Sequence, residues 1–143
     1  MIESILCATD GSKVSHKAVE FALALAKTMG HPVTFLSVER VSASSATSSP
    51  FWDSNVLDAA DAITRAEFKA IGDTARKAGV SGVHFITVQS KDVAGAIAAY
   101  ASEHGHDHIV MGSHGVTGVK SLVLGSVAQS VVAEASVPVT IVR

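Results

Sequence analysis

The chain has 143 residues, close to the most common size of a single domain, and it can bury a core without disulfides or a structural metal. Hydrophobic residues make up 48% and charged residues 17%, which excludes intrinsic disorder as a description of the whole chain. The net charge of −2 argues against general binding to nucleic acid or to an anionic membrane surface. We therefore expect one domain over residues 1–143.

Cysteine usage and the apolar runs indicate where such a protein works. The single cysteine, Cys7, allows no internal disulfide and no zinc ribbon, and its place in an apolar run predicts a buried, inert thiol. No apolar run reaches membrane-spanning length, and the first residues lack the basic start of a signal peptide. The expectation is a soluble cytoplasmic protein.

Strand and helix patterns alternate from the start of the chain. Residues 2–8 form a short apolar run that ends at the turn residues 9–12, which is typical of a buried strand. A helical pattern follows over residues 13–29, with Ser12 as its N-cap and Gly30 as a left-handed residue at its end. The other predicted elements are a strand over 32–38, a helix over 55–78, a strand over 83–88, a helix over 92–104, a strand over 108–111, a helix over 126–135 and a strand over 137–142.

One segment breaks the alternation. Residues 42–50 contain five serines and no charge, so they cannot bury enough surface to compensate the entropy of ordering. We predict a flexible serine-rich loop over residues 42–55. Phe51 and Trp52 lie near its end and fit either local packing or a contact surface.

Strands that alternate with helices predict an α/β fold with a parallel sheet covered on both faces. In such doubly wound sheets, ligands bind beyond the carboxyl ends of the strands, where the strand order reverses. The residues at this predicted edge are Ala8, Thr9, Asp10, Val38, Glu39, Val88, Gln89 and 111–114.

The segment 111–127, MGSHGVTGVKSLVLGSV, is rich in glycine and lies between a strand and a helix. Glycines after a strand let backbone N–H groups approach a ligand, and the amino end of the following helix favours an anion. Ser126 and Gln129 fit a capping box that would start this helix, and His114 and Lys120 can add positive charge. The pattern predicts an anion site, most simply for a phosphate chain.

Two common phosphate motifs do not fit this segment. Lys120 follows Val119 rather than the glycine of a Walker loop. Gly112, Gly115 and Gly118 are spaced G-x-x-G-x-x-G and follow the fourth strand, unlike a Rossmann fingerprint. A plain glycine-rich connector is the alternative interpretation.

The whole chain resembles the universal stress protein family, of the nucleotide-binding kind. The motif G-x2-G-x9-G-[S/T] of that family is matched by Gly112, Gly115, Gly125 and Ser126. The end of the first strand and the last strand, residues 137–142, are also similar to the family pattern. The resemblance implies a Rossmann-like, adenine nucleotide alpha hydrolase-like sheet of five parallel strands in the order 3-2-1-4-5, with four helices.

The resemblance also implies an ATP or AMP site, with Mg²⁺ as an optional companion of the phosphates. Asp10 would meet the ribose or adenine, Ala8 and Thr9 would line the pocket, and Val38 would offer backbone groups to the adenine edge. Met111 and Gly112 would border the ribose. His114 and Gly115 would approach the phosphates, which Gly125, Ser126 and Val127 would bind through backbone N–H groups and the serine hydroxyl. The chain departs from the family at Ala8, where proline is common, and at Ala128, which lacks a hydroxyl present in some relatives.

Several polar residues have a second interpretation. Asp10 fits a turn or cap acid as well as a ligand to sugar hydroxyls or Mg²⁺. His104, His106 and His108 could bind a metal, but their placement favours a solvated turn. Ser113 and His114 lack the G-x-S-x-G setting of a hydrolase nucleophile, so we expect no catalytic residue there.

The function predicted from the sequence is regulatory: binding of adenine nucleotide during stress changes the shape or the partners of the protein. The alternatives are a weak ATPase or autophosphorylating enzyme, an adenylyl-transferring or pyrophosphatase relative, and an interaction module that binds no nucleotide. A fifth strand at a sheet edge also predicts a homodimer through residues 137–142, because pairing about a two-fold axis covers the unpaired backbone.

Overall fold

The computed structural model describes residues 2–41, 50–114 and 124–143, with residues 50–61 described by their backbone alone. Strands and helices alternate along this part of the chain as predicted. The elements are β1 (Ile5–Ala8), α1 (Lys13–Met29), β2 (Val33–Arg40), α2 (Pro50–Ala78), β3 (Val83–Ser90), α3 (Val93–Glu103), β4 (His108–Gly112), α4 (Ser126–Glu134) and β5 (Val139–Val142).

The strands form one parallel sheet in the order β3-β2-β1-β4-β5, as the family resemblance implied. Cys7 of β1 lies between Phe35 of β2 and Val110 of β4. All four residues of β1 are buried, while every residue of β5 at the sheet edge is only half-buried. The strand order therefore reverses between β1 and β4, at the centre of the sheet.

Helices cover both faces of the sheet, and successive residues of a strand alternate between them. Ile5 and Cys7 pack against α1 and α2, in a cluster that includes Val19 and Ile71. On the other face, Leu6 and Ala8 pack against α3 and α4, together with Ile97, Met111 and Val131. Ala8, the last residue of β1, and Thr9, which follows it, thus face opposite layers.

Local signals fix the helix ends that lie near the candidate site. The Ser12 hydroxyl accepts a hydrogen bond from the Ser15 N–H at 3.1 Å, which confirms the predicted N-cap of α1. Gly30 adopts a left-handed conformation, with φ of 68°, and ends the same helix as predicted. The position of α1 relative to the end of β1 is therefore encoded locally.

The helix that follows the serine-rich segment begins earlier than predicted. Helix α2 begins at Pro50, so residues 50–55 are helical rather than part of the loop. Proline is favoured in the first turn of a helix, where its missing N–H costs nothing, and this explains the earlier start. Residues 42–49 lie outside the described residues.

Strand ends differ by a few residues from the prediction. β5 begins at Val139 rather than at residue 137, because Pro138 has no N–H to donate, although its carbonyl accepts from the Ile109 N–H at 3.0 Å. β2 and β3 extend to Arg40 and Ser90, which lie opposite each other in register. Among the residues that the structure describes, no helix combines the length and the apolar character needed to cross a bilayer.

Candidate functional site

The carboxyl ends of β1, β2 and β4 bring three of the predicted site residues together. Ala8, Val38 and Met111 belong to one apolar cluster on the side of the sheet covered by α3 and α4. Ala8 and Met111 are buried, and Val38 is half-buried. The structure thus groups these three side chains at the point where the strand order reverses, which is the usual ligand position in an open α/β sheet.

Asp10 is exposed and stabilises the turn that follows β1. Its Oδ1 accepts a hydrogen bond from the Ser12 N–H at 3.0 Å, and its own N–H donates to the Ser15 hydroxyl, also at 3.0 Å. The cap of α1 is Ser12, so Asp10 acts as a turn acid rather than as the helix cap. Its exposed carboxylate lies at the end of β1, the predicted site edge.

Thr9 faces away from this apolar cluster, towards α1 and α2. Its hydroxyl lies 2.6 Å from the Ser15 hydroxyl and donates a hydrogen bond to the Glu67 carboxylate of α2. Thr9 is 6% exposed and Ser15 is 3% exposed, so these bonds are made away from water. The hydroxyl of Thr9 therefore forms its hydrogen bonds with other side chains inside the protein.

Sequence reasoning missed Glu67, which lies beside the loop after β1. The 3.6-residue period of this helix predicts one apolar face through Ala59, Ile63, Ala66, Ala70 and Ile71. Ile71 is buried as predicted, but Ile63, Ala66 and Ala70 are exposed, Ile63 by 71%. From residue 62 onwards the buried residues of α2 are Ile71 and Ala75, and Glu67 precedes Ile71 by one helical turn. A helix face chosen through Ile71 and Ala75 would have found this carboxylate.

A cavity of about 80 Å³ lies between α1 and α2 beside this carboxylate. Its lining includes Thr9, Ser12, His16 and Glu67. Because Thr9 and Ala8 face opposite layers, the cavity is on the other side of β1 from the apolar cluster of the site.

Gly112, at the end of β4, is needed for packing. A Cβ atom at this position would lie 2.8 Å from Val14 Cγ1 and 3.2 Å from the Ser15 backbone nitrogen. Only glycine therefore lets β4 approach the first turn of α1 so closely. The sequence pattern predicts a glycine here so that a ligand can approach the backbone. In the structure, the residues that approach it are Val14 and Ser15 of the protein itself.

Gly125 joins the end of β4 to the start of α4. Its N–H donates to the Ser113 carbonyl oxygen at 2.7 Å, so the prediction that this N–H binds phosphate does not fit the structure. A Cβ atom at Gly125 would lie 3.1 Å from the same oxygen. The glycine thus places the amino end of α4 directly against the end of β4.

The predicted capping box at the start of α4 is wrong. Gly125 is the N-cap, Ser126 is the first helical residue, and the Gln129 side chain donates to the Leu124 carbonyl oxygen at 2.6 Å. The helix begins at Ser126 as predicted, but its cap is the preceding glycine, which is held against Ser113. Ser126 is exposed and Val127 half-buried, and their N–H groups belong to the first turn, where an α-helix supplies no acceptor.

His114 lies against this junction. Its Nδ1 is 3.0 Å from the Ser113 hydroxyl, and its Nε2 is buried and has no hydrogen-bond partner among the described residues. Gly115 and Lys120, which the sequence also assigned to the phosphate loop, lie outside the described residues.

Burial, with a smaller effect from the charge of Glu67, raises the pKa of the Cys7 thiol well above its ordinary value. Cys7 is fully buried in β1, as predicted, and its sulfur therefore stays protonated at neutral pH. This thiol is not a candidate nucleophile or metal ligand.

The histidines near the start of β4 lie at the amino ends of the strands, away from the candidate site at the carboxyl ends. His106 and His108 are each 8% exposed, so the predicted solvated turn is wrong for both residues. His106 Nδ1 is 2.9 Å from the Ser4 hydroxyl, and His108 Nε2 is 2.7 Å from the Thr140 hydroxyl. Within the described ranges, no three His, Cys, Asp or Glu residues are grouped as a metal site would need.

A family profile and a curated relative both assign the chain to the same protein family. The sequence profile of the "Universal stress protein family" matches residues 1–143. The universal stress protein YxiE of Bacillus subtilis (strain 168) is 33% identical over 148 residues, covering all of both chains.

Solved structures share the same fold. Universal stress protein UspA from Lactobacillus plantarum superimposes with a TM-score of 0.85 at 25% identity, over 99% of this chain and 98% of that one. A universal stress protein in complex with cAMP gives 0.77 at 22% identity, over 99% and 97% of the two chains. The universal stress protein from Archaeoglobus fulgidus in complex with dAMP gives 0.69 at 20% identity, over the whole of both chains.

Proposed function

Since this chain belongs to the universal stress protein family, we propose that it binds an adenine nucleotide at the carboxyl edge of its sheet, between β1 and β4. The proposal rests chiefly on the 2.7 Å hydrogen bond from Gly125 N–H to the Ser113 carbonyl oxygen. This bond holds the amino end of α4 beside the end of β4, next to β1. An anion-attracting helix end and an apolar cluster thus share one sheet edge.

The base and the sugar are assigned to the ends of β1, β2 and β4. Ala8 lines the pocket, the Val38 backbone offers hydrogen bonds to the adenine edge, and Met111 borders the ribose. Asp10 accepts hydrogen bonds from the ribose hydroxyls, because its exposed carboxylate lies where β1 ends. Gly112 borders the ribose through its backbone, which the contact with Val14 holds in place.

The phosphates are assigned to the amino end of α4. The N–H groups of Ser126 and Val127 bind the phosphate oxygens, aided by the exposed Ser126 hydroxyl. Gly125 contributes by placing this turn, since its own N–H is already donated to Ser113. His114 adds a donor beside the phosphates, and Gly115 adds a backbone N–H from the loop.

Two relatives with the same fold were solved with adenine nucleotides, cAMP and dAMP. Both ligands carry adenine and one phosphate. We therefore propose that adenine and one phosphate are the minimum ligand for this chain, with AMP as the reference ligand and ATP as its longer form. Mg²⁺ would be held mainly by phosphate oxygens, with Asp10 as the protein carboxylate at the site.

The role that fits such a site is regulatory, in a stress response, through a change of shape or partners when nucleotide binds. The described residues show no arginine finger, paired carboxylates or evident base of the kind that fast phosphoryl transfer uses. Slow ATP hydrolysis or self-phosphorylation is the second candidate, because His114 presents a buried Nε2 without a partner among the described residues.

Calorimetric titration with AMP, adenosine, GMP and ATP, with and without Mg²⁺, tests the proposal. We expect saturable binding of AMP and ATP, weaker binding of adenosine because it lacks phosphate, and weaker binding of GMP. Absence of saturable binding for all four would support the interaction module instead. Steady release of ADP from ATP would support the enzyme.

We also propose that two copies pair through the edge strand β5, within residues 137–142. β5 lies at the end of the strand order, and all four of its residues are only half-buried. Pairing about a two-fold axis would cover its outer backbone groups. Light scattering at micromolar concentration tests this proposal, since a dimer has twice the molar mass of the single chain.

A further inference from the structure

The loop after β1 is tied to helix α2 by a series of side-chain hydrogen bonds. The Asp10 N–H donates to the Ser15 hydroxyl at 3.0 Å, and the Ser15 and Thr9 hydroxyl oxygens lie 2.6 Å apart. The Thr9 hydroxyl donates in turn to Glu67 Oε1. A residue of α2 is thus connected to the backbone of a proposed ribose-binding residue.

The direction of each bond in this series follows from the available hydrogens. An ionised carboxylate can only accept, so Thr9 must donate its one hydroxyl hydrogen to Glu67. Ser15 must then donate its own hydrogen to Thr9, and one of the two lone pairs of its oxygen accepts from the Asp10 N–H. Glu67 therefore sets the orientation of both hydroxyls, because it takes the hydrogen that Thr9 could otherwise turn towards Ser15.

Burial makes this arrangement effective. Thr9 and Ser15 are almost fully buried, so a hydroxyl that loses its partner there can be solvated only from the cavity of about 80 Å³ beside Thr9. The carboxylate also lies against the turn itself, because a Cβ atom at Gly11 would be 3.5 Å from Glu67 Oε2. Gly11 has φ of 79° and lies directly after Asp10, so Glu67 borders the loop on both sides of that residue.

We propose that Glu67 is a positioning residue for the nucleotide site: it orders Thr9 and Ser15 and, through them, fixes the backbone of Asp10. This inference rests on the proposed function, since it assigns Asp10 to the bound nucleotide. Glu67 itself faces the α1–α2 side of β1 and does not touch the ligand. Its effect is to hold the pocket in the binding conformation before the ligand arrives, which lowers the cost of binding.

Two substitutions separate hydrogen bonding from helix packing. Glu67→Leu removes the acceptor, whereas Glu67→Gln keeps an oxygen that can accept from Thr9. Thr74→Val is the matched control, because Thr74 lies on the same helix and its hydroxyl donates at 3.0 Å to Ala70 within α2. All three variants are compared with the wild-type chain by thermal unfolding, to confirm that they fold.

The first measurement needs no nucleotide. Amide hydrogen exchange at Asp10 reports whether its N–H is still held by Ser15. We expect faster exchange at Asp10 in Glu67→Leu, and exchange close to wild type in Glu67→Gln and Thr74→Val. Unchanged exchange at Asp10 in Glu67→Leu would overturn the proposal, whether or not the protein binds nucleotide.

The second measurement is the affinity for AMP. We expect Glu67→Leu to weaken binding by about three- to ten-fold, the equivalent of one hydrogen bond, and Glu67→Gln to remain within about two-fold of wild type. Equal weakening in Glu67→Leu and Thr74→Val would overturn the proposal, because the cause would then be general to α2. A wild-type chain that binds no AMP would overturn the proposed function alone, and the exchange rates would still decide the role of Glu67.

Discussion

The N–H of Gly125 donates to the carbonyl oxygen of Ser113 at 2.7 Å, and this bond fixes where α4 begins. Because the bond uses the Gly125 N–H inside the protein, the proposed phosphate site consists of the next N–H groups of the helix. The second role of Gly125 is steric, since a Cβ atom there would lie 3.1 Å from the Ser113 oxygen. Substituting Gly125 would therefore disturb the protein as well as any ligand.

A methyl group at Gly112 should destabilise the fold. In Gly112→Ala the new Cβ would lie 2.8 Å from Val14 Cγ1 and 3.1 Å from the Val14 backbone carbon, so α1 and β4 must move apart. We expect the free energy of unfolding to fall by about 1–3 kcal/mol, measured by chemical denaturation. The control is Gly72→Ala in α2, where the new Cβ would make ordinary contact with the Phe85 ring at 3.7 Å, and where alanine favours the helix. Equal stability of the two variants would contradict this account of Gly112.

Acid should destabilise the protein through the histidines at the start of β4. Burial lowers the pKa of both His106 and His108 below the ordinary value of 6.5, with a further lowering of the His106 pKa by His104 and opposing effects of Asp107. The unfolded chain therefore binds more protons below that pH, and the free energy of unfolding falls as the pH drops from about 6.5 towards the folded pKa values. The stability that comes from keeping these two histidines buried and neutral is present above pH 6.5.

Denaturation midpoints measured between pH 7 and pH 5 test that expectation. The double substitution His106→Gln and His108→Gln removes both groups, so the dependence on pH should become shallower over this range. A slope identical to wild type would show that these two histidines do not cause it.

The proposed dimer should depend on the outward N–H groups of β5. The carbonyl oxygens of Pro138 and Val142 accept from β4, so the alternation of a strand directs the N–H groups of Val139 and Ile141 outwards. Ile141→Pro removes one outward donor and leaves the pairing with β4, and Ile141→Val keeps that donor. We expect light scattering to give a monomer for Ile141→Pro and a dimer for Ile141→Val. A dimer in both would place the interface elsewhere.

Much of the fold was predictable because its signals are local. Ser12 and Gly30 mark the ends of α1 through hydrogen bonding and backbone conformation, both of which depend on neighbouring residues. Alternating strands and helices then predict the parallel sheet. The start of α4 at Ser126 is predicted correctly, but its cap is Gly125 rather than the serine of the capping-box pattern, because the contact between Gly125 and Ser113 joins two residues twelve positions apart.

The candidate site was only partly predictable for the same reason. Ala8, Val38 and Met111 lie in the carboxyl halves of strands that the topology brings together, so their grouping follows from the fold. Glu67 comes from a helix whose apolar period predicts burial of both Ile63 and Ile71, of which only Ile71 is buried. Its contact with Thr9 depends on how α2 rotates against the sheet, and alanine-rich helices give a weak signal for that rotation.

The phosphate site that we propose in the first turn of α4 can be probed with the substitution Ser126→Pro. Proline is tolerated at the first helical position, and Gly125 already has the extended conformation, with ψ of 160°, that a residue before proline prefers. The substitution therefore removes one N–H from the site and leaves the helix in place. Ser126→Ala is the control, because it removes the hydroxyl and keeps the N–H.

The measurement is the ratio of AMP affinity to adenosine affinity in these two variants and in the wild-type chain. We expect Ser126→Pro to lower the ratio by about ten-fold, the equivalent of one hydrogen bond to a charged group, and Ser126→Ala to lower it less. A ratio in Ser126→Pro equal to that of the wild-type chain would contradict phosphate binding at the start of α4.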